Sequence, residues 1–256
     1  MTWYWLPDGP ADAGHNMARD LALLDLAAER GAGFVRTYTW EPYALSFGAN
    51  EPAVKRYHRD EITRRGLAVV RRPTGGRAVW HAEELTYSVA APEGALGTLA
   101  ESYRRIHDTL AAALTSLGGA VSLAASPPRQ LAVDAGACFA SPAGGEVVAA
   151  LGKVVGSAQL RERGAFLQHG SILLGNRQEL VAELTRGTPP DVVAASLNDI
   201  LGRPIDPGAV AEAVRTAFST RFGELSTLDS QLTHALAVRT EMHLPRFRDE
   251  AWTWRR

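Results

Sequence analysis

The sequence predicts an α+β fold: mixed or antiparallel sheets flanked by helices, with a helical C-terminal tail. Three observations carry this. β-prone runs come in groups, at 34–47 and 67–90, instead of alternating strictly with helices. Two long amphipathic segments, at 14–30 and 99–117, interrupt those groups. A hairpin signal over 151–174 is followed by a chain that is largely helical in pattern to about residue 243.

In chain order, Met17, Leu21, Leu24 and Ala28 share one face of a helix over 14–30, with Gly31 and Gly33 as stops. Phe34–Trp40 and Tyr43–Phe47 are β-prone, the second ended by Gly48-Ala49-Asn50. Glu51–Arg65 reads as one charged surface helix with Pro52 in its first turn and Gly66 as its stop. Leu67–Arg71 is a short apolar strand, and Ala78–Trp80 and Leu85–Ala90 are strands around His81–Glu84. Leu99, Tyr103, Ile106, Leu110, Ala113 and Leu117 mark the second long helix, stopped by Gly118-Gly119. Val121–Ala124 is a strand, and Ser126-Pro127-Pro128 opens a loop. Leu151–Arg161 and Ala165–Leu174 form a hairpin about Glu162–Gly164. The helical remainder is broken at Pro189-Pro190, Gly202-Arg203-Pro204 and Pro207-Gly208.

Composition narrows the function classes. With 46% hydrophobic and 21% charged residues, the 256-residue chain has the make-up of a globular protein. A formal net charge of −1 carries no nucleic-acid or membrane footprint. One cysteine excludes an intrachain disulfide and a Cys-cluster zinc site, and suits a reducing cytoplasm. The first residues, MTWYWLPDGPADAG, lack the basic start and apolar run of a signal peptide. No uninterrupted apolar stretch is long enough for a membrane span.

The chemistry concentrates between Gly136 and Leu174. Cys138 is the single cysteine, and Lys153 follows fifteen residues later in a glycine-punctuated run. A thiol attacks as thiolate, and a nearby ammonium favours that charged form. The same ammonium can then stabilise negative charge as it develops on a carbonyl oxygen; the competing reading is that Cys138 is a small buried hydrophobe and Lys153 a solvated strand residue. As a strand, 151–161 places Lys153, Val155, Ser157, Gln159 and Arg161 on a face polar enough to line a site. Gly152, Val154, Gly156, Ala158 and Leu160 form a small apolar face suited to packing. Ser157 has no Asp or His near it in sequence and reads as a hydrogen-bonding group, not a nucleophile.

The second informative stretch is Arg71-Arg72-Pro73-Thr74-Gly75-Gly76-Arg77. Paired glycines permit positive φ and a close ligand approach, and the arginines suit an anion. No GK[ST] follows and there is no GxGxxG, so neither nucleotide fingerprint is present. A plain hairpin turn is the competing reading.

Together these stretches resemble one family. Asn16-Met17-Ala18 with Asp20, Ser46-Phe47-Gly48, Arg71 to Val79, Glu84-Leu85-Thr86-Tyr87-Ser88, Gly152-Lys153 with Gly156-Ser157-Ala158-Gln159, and Gln168-His169-Gly170-Ser171-Ile172 are similar to the lipoate–protein ligase/octanoyltransferase family. They run collinearly over roughly 14–175. Ala137-Cys138-Phe139 with Pro142 and Glu146 resembles the cysteine-dependent octanoyltransferases of that family, and the Asn-Asp pair usual in its ATP-using ligases is missing. Loop Ala140–Gly145 departs from the pattern, being small where relatives often carry a bulkier residue.

The resemblance implies the lipoate/biotin protein ligase catalytic-domain fold, with 1–175 as the acyltransferase core and 176–256 as a helical part of the same domain, not a full accessory domain. It implies transfer of an octanoyl group from octanoyl-acyl carrier protein to a lysine of a lipoyl-domain protein such as glycine cleavage H protein. No cofactor or metal, nucleic acid or membrane is implied. Cys138 would carry the acyl group as a thioester, with Lys153 as its activator. The substrate-binding set would be Arg72, Thr74, Gly75, Gly76, Arg77, Ala78, His81, Gly156, Ser157, Ala158, Gln159, His169 and Gly170, with the glycine loop roofing the acyl tunnel. For His169 a structural hydrogen bond competes with a lining role. Arg71, Arg161 and Arg163 are either contacts to an acidic carrier or solvated surface charge. The alternatives are an ATP-dependent lipoate ligase, an amidotransferase between lipoyl proteins, and a non-catalytic binding regulator.

Overall fold

The computed structural model describes residues 1–125, 145–188 and 193–255. Its elements run β1 (Trp3–Ala11), α1 (Ala13–Arg30), β2 (Gly33–Trp40), β3 (Ala44–Phe47), α2 (Ala53–Arg56), α3 (Arg59–Arg64), β4 (Ala68–Arg71), β5 (Val79–His81), β6 (Glu84–Pro92), α4 (Leu99–Ser116) and β7 (Ser122–Leu123). Then come β8 (Val147–Ala149), β9 (Gly152–Lys153), β10 (Val155–Glu162), β11 (Ala165–Leu173), α5 (Glu179–Glu183), α6 (Leu197–Leu201), α7 (Pro207–Phe222), β12 (Leu225–Ser226), α8 (Ser230–Arg248) and α9 (Glu250–Thr253). Cys138, the 126–128 loop opening and the Pro189-Pro190 break lie outside the described residues.

The main sheet has six strands in the order β10-β11-β6-β2-β1-β12. It is mixed: β10, β11, β6 and β2 pair antiparallel, while β1 runs parallel to β2 and β12 parallel to β1. One face buries Trp3, Val35, Tyr87, Val89 and Phe166 with Ile106 and Leu110 of α4 and Val214 and Phe218 of α7. The other buries Phe34, Tyr38, Ala90 and Leu167 with Leu21 and Leu24 of α1 and Leu236 and Phe247 of α8. The fold is therefore α+β with helices on both faces of a mixed sheet, as the grouping of strands predicts. A three-stranded sheet, β4-β3-β5, carries the glycine loop between β4 and β5.

Local chemistry bounds the elements. Asp12 caps α1 by accepting from the His15 amide, and Gly31 closes it at φ 61°. Thr98 and Glu101 form a capping box on α4. Arg163 and Gly164, both at positive φ, close the β10–β11 hairpin in two residues.

Two elements differ from expectation for long-range reasons, and β1, for which the sequence offers no element, is a strand whose register on β2 shifts between Pro7 and Pro10. The helix expected over 51–65 is split, because Tyr57 leaves helical geometry to bridge Thr185 while its ring stacks on Phe47. The strand expected over 151–161 breaks at Val154: Lys153 pairs with Val148 in a separate small sheet, whereas Val155 pairs with Ile172 in the main one.

Candidate active site

At one end of its α1 face, the apolar packing of the main sheet opens into a small cavity continuous with solvent. Gly156 and Ala158 of β10 form its floor, Met17, Tyr38, Trp40 and Val79 supply apolar wall, and Arg72, His81, Thr86, His169 and Ser171 bring polar groups to its rim. The two faces of β10 exchange the roles expected of them. The small face lines the cavity, while the side chain of Ser157 turns to the α4 side to meet Tyr87 and His107. The α4 side supplies polar partners for the polar face; bare backbone leaves room on the other. Gly170, opposite Ser157, is obligatory there, since a Cβ on it would lie 2.5 Å from the Ser157 hydroxyl.

The rim is held by two acid–histidine–hydroxyl relays. Asp20 accepts from Arg36 at 2.7 Å, from Ser88 and Tyr38 at 2.8 Å each, and from His169 Nδ1 at 2.8 Å. Burial alone would raise its pKa, but the Arg36 guanidinium and the His169 hydrogen bond hold it below the usual carboxylate range. Burial pushes His169 down despite the carboxylate, so the ring is neutral near pH 7. Nδ1–H then donates to Asp20, and Nε2 accepts the Thr74 hydroxyl proton across 2.6 Å. In the second relay His81 sits 2.7 Å from Glu84 through Nδ1 and 2.6 Å from the Ser46 hydroxyl through Nε2, with its ring stacked on Trp40. Arg72 also donates to that hydroxyl. Ser46 and Thr74 are fully buried, so these relays orient the loop and do not present a nucleophile.

The glycine loop is not a hairpin turn, because β4 and β5 flank β3 from opposite sides. Arg72 crosses beneath it, reaching the carbonyls of Arg77 at 2.8 Å and Gly75 at 3.3 Å. Gly76 adopts φ 91°, which a Cβ disfavours, and its open side looks toward Ala158 on the cavity floor. Gly75 has no positive φ, and a Cβ placed on it would meet nothing within 4 Å.

Lys153 is buried, and its ammonium donates to Glu146 Oε1 at 2.8 Å. Tyr103 donates to the same carboxylate at 3.1 Å and lies 3.4 Å from the Ser157 carbonyl, linking the ion pair to the cavity floor. Next to it a directional chain runs between Gln159 and His107 through buried and partly buried groups. Gln159 donates to Gln168 Oε1, Gln168 to the Tyr87 oxygen, Tyr87 to Ser157, and Ser157 to His107 Nε2. His107 Nδ1–H ends the chain on the Tyr103 carbonyl at 2.9 Å. Burial drives the His107 pKa down to about 3. A base so weak is mismatched to proton abstraction near neutral pH, so Ser157 and His107 are not a nucleophile–base pair.

The structure thus gathers Arg72, His81, Gly156, Ser157, Ala158, His169 and Gly170 around one cavity, with Thr74 tied to it through His169. Gly75, Gly76, Arg77 and Ala78 belong to the loop above, and Gln159 points to Gln168 and Ser102 on the α4 side. Arg71 is fully buried, so it is neither a carrier contact nor surface charge. Arg161 is turned inward to Ser102 and the Gly97 carbonyl, and Arg163 pairs with Asp25. Arg36, Tyr38, Trp40, Tyr103 and His107 were not singled out as site residues from sequence. For the last two a signal exists: Tyr103 and His107 stand four apart on α4 beside its apolar stripe.

Comparison with known proteins identifies the family. Residues 12–219 match the lipoyl protein ligase A/B catalytic domain. The chain is 37% identical to the octanoyltransferase LipM of Kyrpidia tusciae over 276 aligned positions, covering 100% of this chain and 99% of that one. It is 35% identical to the octanoyltransferase LipM of Brevibacillus brevis, with 99% of each chain covered. A lipoate-protein ligase A solved with ATP bound superposes with a TM-score of 0.78 over 99% of both chains at 18% identity, which shows the shared fold. The chain therefore belongs to the lipoyl protein ligase A/B catalytic-domain family, among the LipM octanoyltransferases.

Proposed function

We propose that this octanoyltransferase takes its acyl group from octanoyl-acyl carrier protein and passes it, through a thioester on Cys138, to a lysine of a lipoyl domain such as that of glycine cleavage H protein. The observation that carries the reading is the cavity. Its floor is backbone and one methyl group, its walls include Met17, Tyr38, Trp40 and Val79, and Gly76 of the glycine loop faces Ala158 on that floor. An unbranched acyl chain suits such a space, burying methylene groups at about 0.8 kcal/mol each.

In the first step the Cys138 thiolate attacks the carrier thioester carbonyl. The carrier sulfur leaves with the bonding pair and takes up a proton, and the octanoyl group remains on Cys138. In the second step the acceptor lysine, as free amine, attacks that new thioester. Its surplus proton is lost, the Cys138 sulfur departs as thiolate, and an amide remains. The first step exchanges one thioester for another and the second, thioester to amide, is downhill, so the transfer needs no ATP. Lys153 supplies positive charge for the thiolate and the developing oxyanion. Glu146 and Tyr103 support this by holding its ammonium in one place beside the floor strand. A cytoplasmic setting belongs to the same reading, since a single cysteine that must stay reduced suits that compartment. We also take 176–256 as part of the catalytic domain, because β12 extends the main sheet and α8 packs on α1.

Intact-mass measurement after incubation with octanoyl carrier protein tests the mechanism. One hydroxylamine-labile octanoyl adduct is expected on the wild type and none on Cys138→Ala. Transfer by Cys138→Ala within a few-fold of wild type would overturn the thioester route and favour ATP-dependent ligation. A preference for octanoylated H protein over the acyl carrier as donor would point instead to amidotransfer between lipoyl proteins.

A further inference from the structure

Arg71, the last residue of β4, is fully buried. Its guanidinium joins two segments remote in sequence. Nη1 donates to the carbonyls of Gly48 and Glu51 at 2.8 Å each. Nε reaches the carbonyls of Thr253 at 3.0 Å and Trp252 at 3.1 Å, and Nη2 that of Arg255 at 2.8 Å. The 250–255 segment answers in kind. Trp252 donates its indole N–H to the Arg71 carbonyl at 3.1 Å, and Arg255 donates to the Ala49 carbonyl at 2.6 Å. The Trp252 ring is clasped between the guanidinium groups of Arg246 at 3.8 Å and Arg255 at 3.6 Å.

The other side of the same turn bears on the glycine loop. The Ala49 amide donates to the Thr74 carbonyl, and the Arg72 amide to the Phe47 carbonyl, both at 2.8 Å. A Cβ on Gly48 would lie 1.8 Å from the Gly76 carbonyl oxygen, so turn and loop are in backbone contact. A short mechanical path thus runs from Trp252 through Arg71 and the Gly48-Ala49 turn to Thr74 and Gly76. No part of it lines the cavity.

We propose that Arg71 and Trp252 are positioning residues, through which the 250–255 segment sets the height of the glycine loop over the cavity. The catalytic consequence rests on the reading of that cavity as the acyl site; the mechanical link does not. Carbonyls of Gly48, Glu51, Trp252, Thr253 and Arg255 converge on one point and would repel one another without a shared donor. The guanidinium, with its planar fork of donors, is the side chain suited to that task.

Amide hydrogen exchange on the ligand-free protein tests the link directly. In Trp252→Ala, amides of 74–78 should exchange about tenfold faster, while those of β2, β6 and β11 stay within twofold of wild type. Arg71→Lys, which retains three donors, should accelerate the loop less than Arg71→Ala. Where Trp252→Ala fails to fold, Trp252→Phe removes the indole N–H with most of the ring kept, and the same loop-confined acceleration is expected. Unchanged loop exchange, or acceleration spread evenly through the chain, would overturn the proposal. In octanoyl transfer, Trp252→Ala should raise the donor KM several-fold with kcat within twofold. A fall in kcat alone would mean general destabilisation and overturn the positioning role. A wild type without octanoyl transfer would leave the exchange result to decide the link and would count against the acyl-site reading instead.

Discussion

Lys153 Nζ lies 2.8 Å from Glu146 Oε1, and both side chains are almost completely buried. The pair joins β9 to the residue just before β8, seven positions back. Burying two charges is costly, and removing one partner takes away the closest charge that offsets the other. Lys153→Met or Glu146→Leu alone should therefore lower stability by about 3–5 kcal/mol. The double variant should recover most of that loss, because the buried charge disappears with its partner. Urea titrations of the three variants check this; additive losses in the double variant would mean that the ion pair is not the coupling between these residues.

The glycines of the loop should not be equivalent. Gly75→Ala meets open space at an ordinary φ and is expected to keep octanoyl loading within twofold of wild type. Gly76→Val places a β-branched side chain at φ 91° and should lose loading by at least about tenfold. Gly48→Ala should resemble Gly76→Val although it lies outside the loop, because its methyl would collide with the Gly76 carbonyl. Rates of acyl adduct formation by mass spectrometry compare all three. Loss of loading in Gly75→Ala equal to that in Gly76→Val would contradict the conformational argument.

His107 makes a pH prediction of definite sign. Its pKa is about 3 in the folded chain against 6.5 for the free side chain, through burial first and then the repulsion of Lys153. Between those values the unfolded chain binds a proton that the folded one refuses. The contribution is therefore fully present above pH 6.5 and is lost as pH falls. At pH 5 the loss relative to pH 8 is about 2 kcal/mol for this residue. His107→Phe removes the titration, so its stability should decline less between pH 8 and pH 5 than that of the wild type. Parallel declines in denaturant titrations at the two pH values would show that His107 is not held neutral by the fold.

Much of this architecture was legible because it is written in local chemistry. Gly31 stops the first helix, Gly118 and Gly119 close the second, and Arg163-Gly164 turns the hairpin. Such signals act within a few residues and survive any tertiary context that does not oppose them. The stretches around Arg72, Lys153 and His169 were also visible in sequence, since their residue types and order resemble those of one enzyme family.

Other features were decided by partners far along the chain. Tyr57 breaks a helix that composition favours because Thr185 and Phe47 claim it. Pro7 and Pro10 sit in a strand because they pair with Thr37 and Thr39 of β2, the register shifting between them. Alternation along 155–161 separates the two faces of β10 but does not say which faces the cavity. That depended on Tyr87 and His107 supplying partners for Ser157 on the α4 side, while Gly156 and Ala158 left space on the other. Arg71 is the sharpest case. In sequence it is one more arginine beside a glycine loop, and the folded chain surrounds it with carbonyls from two distant segments. Sequence determined which residues could form helices and turns, because those properties are intrinsic to short stretches. Tertiary structure alone decided which polar groups meet, because a buried donor takes whatever acceptor the fold places within about 3 Å of it.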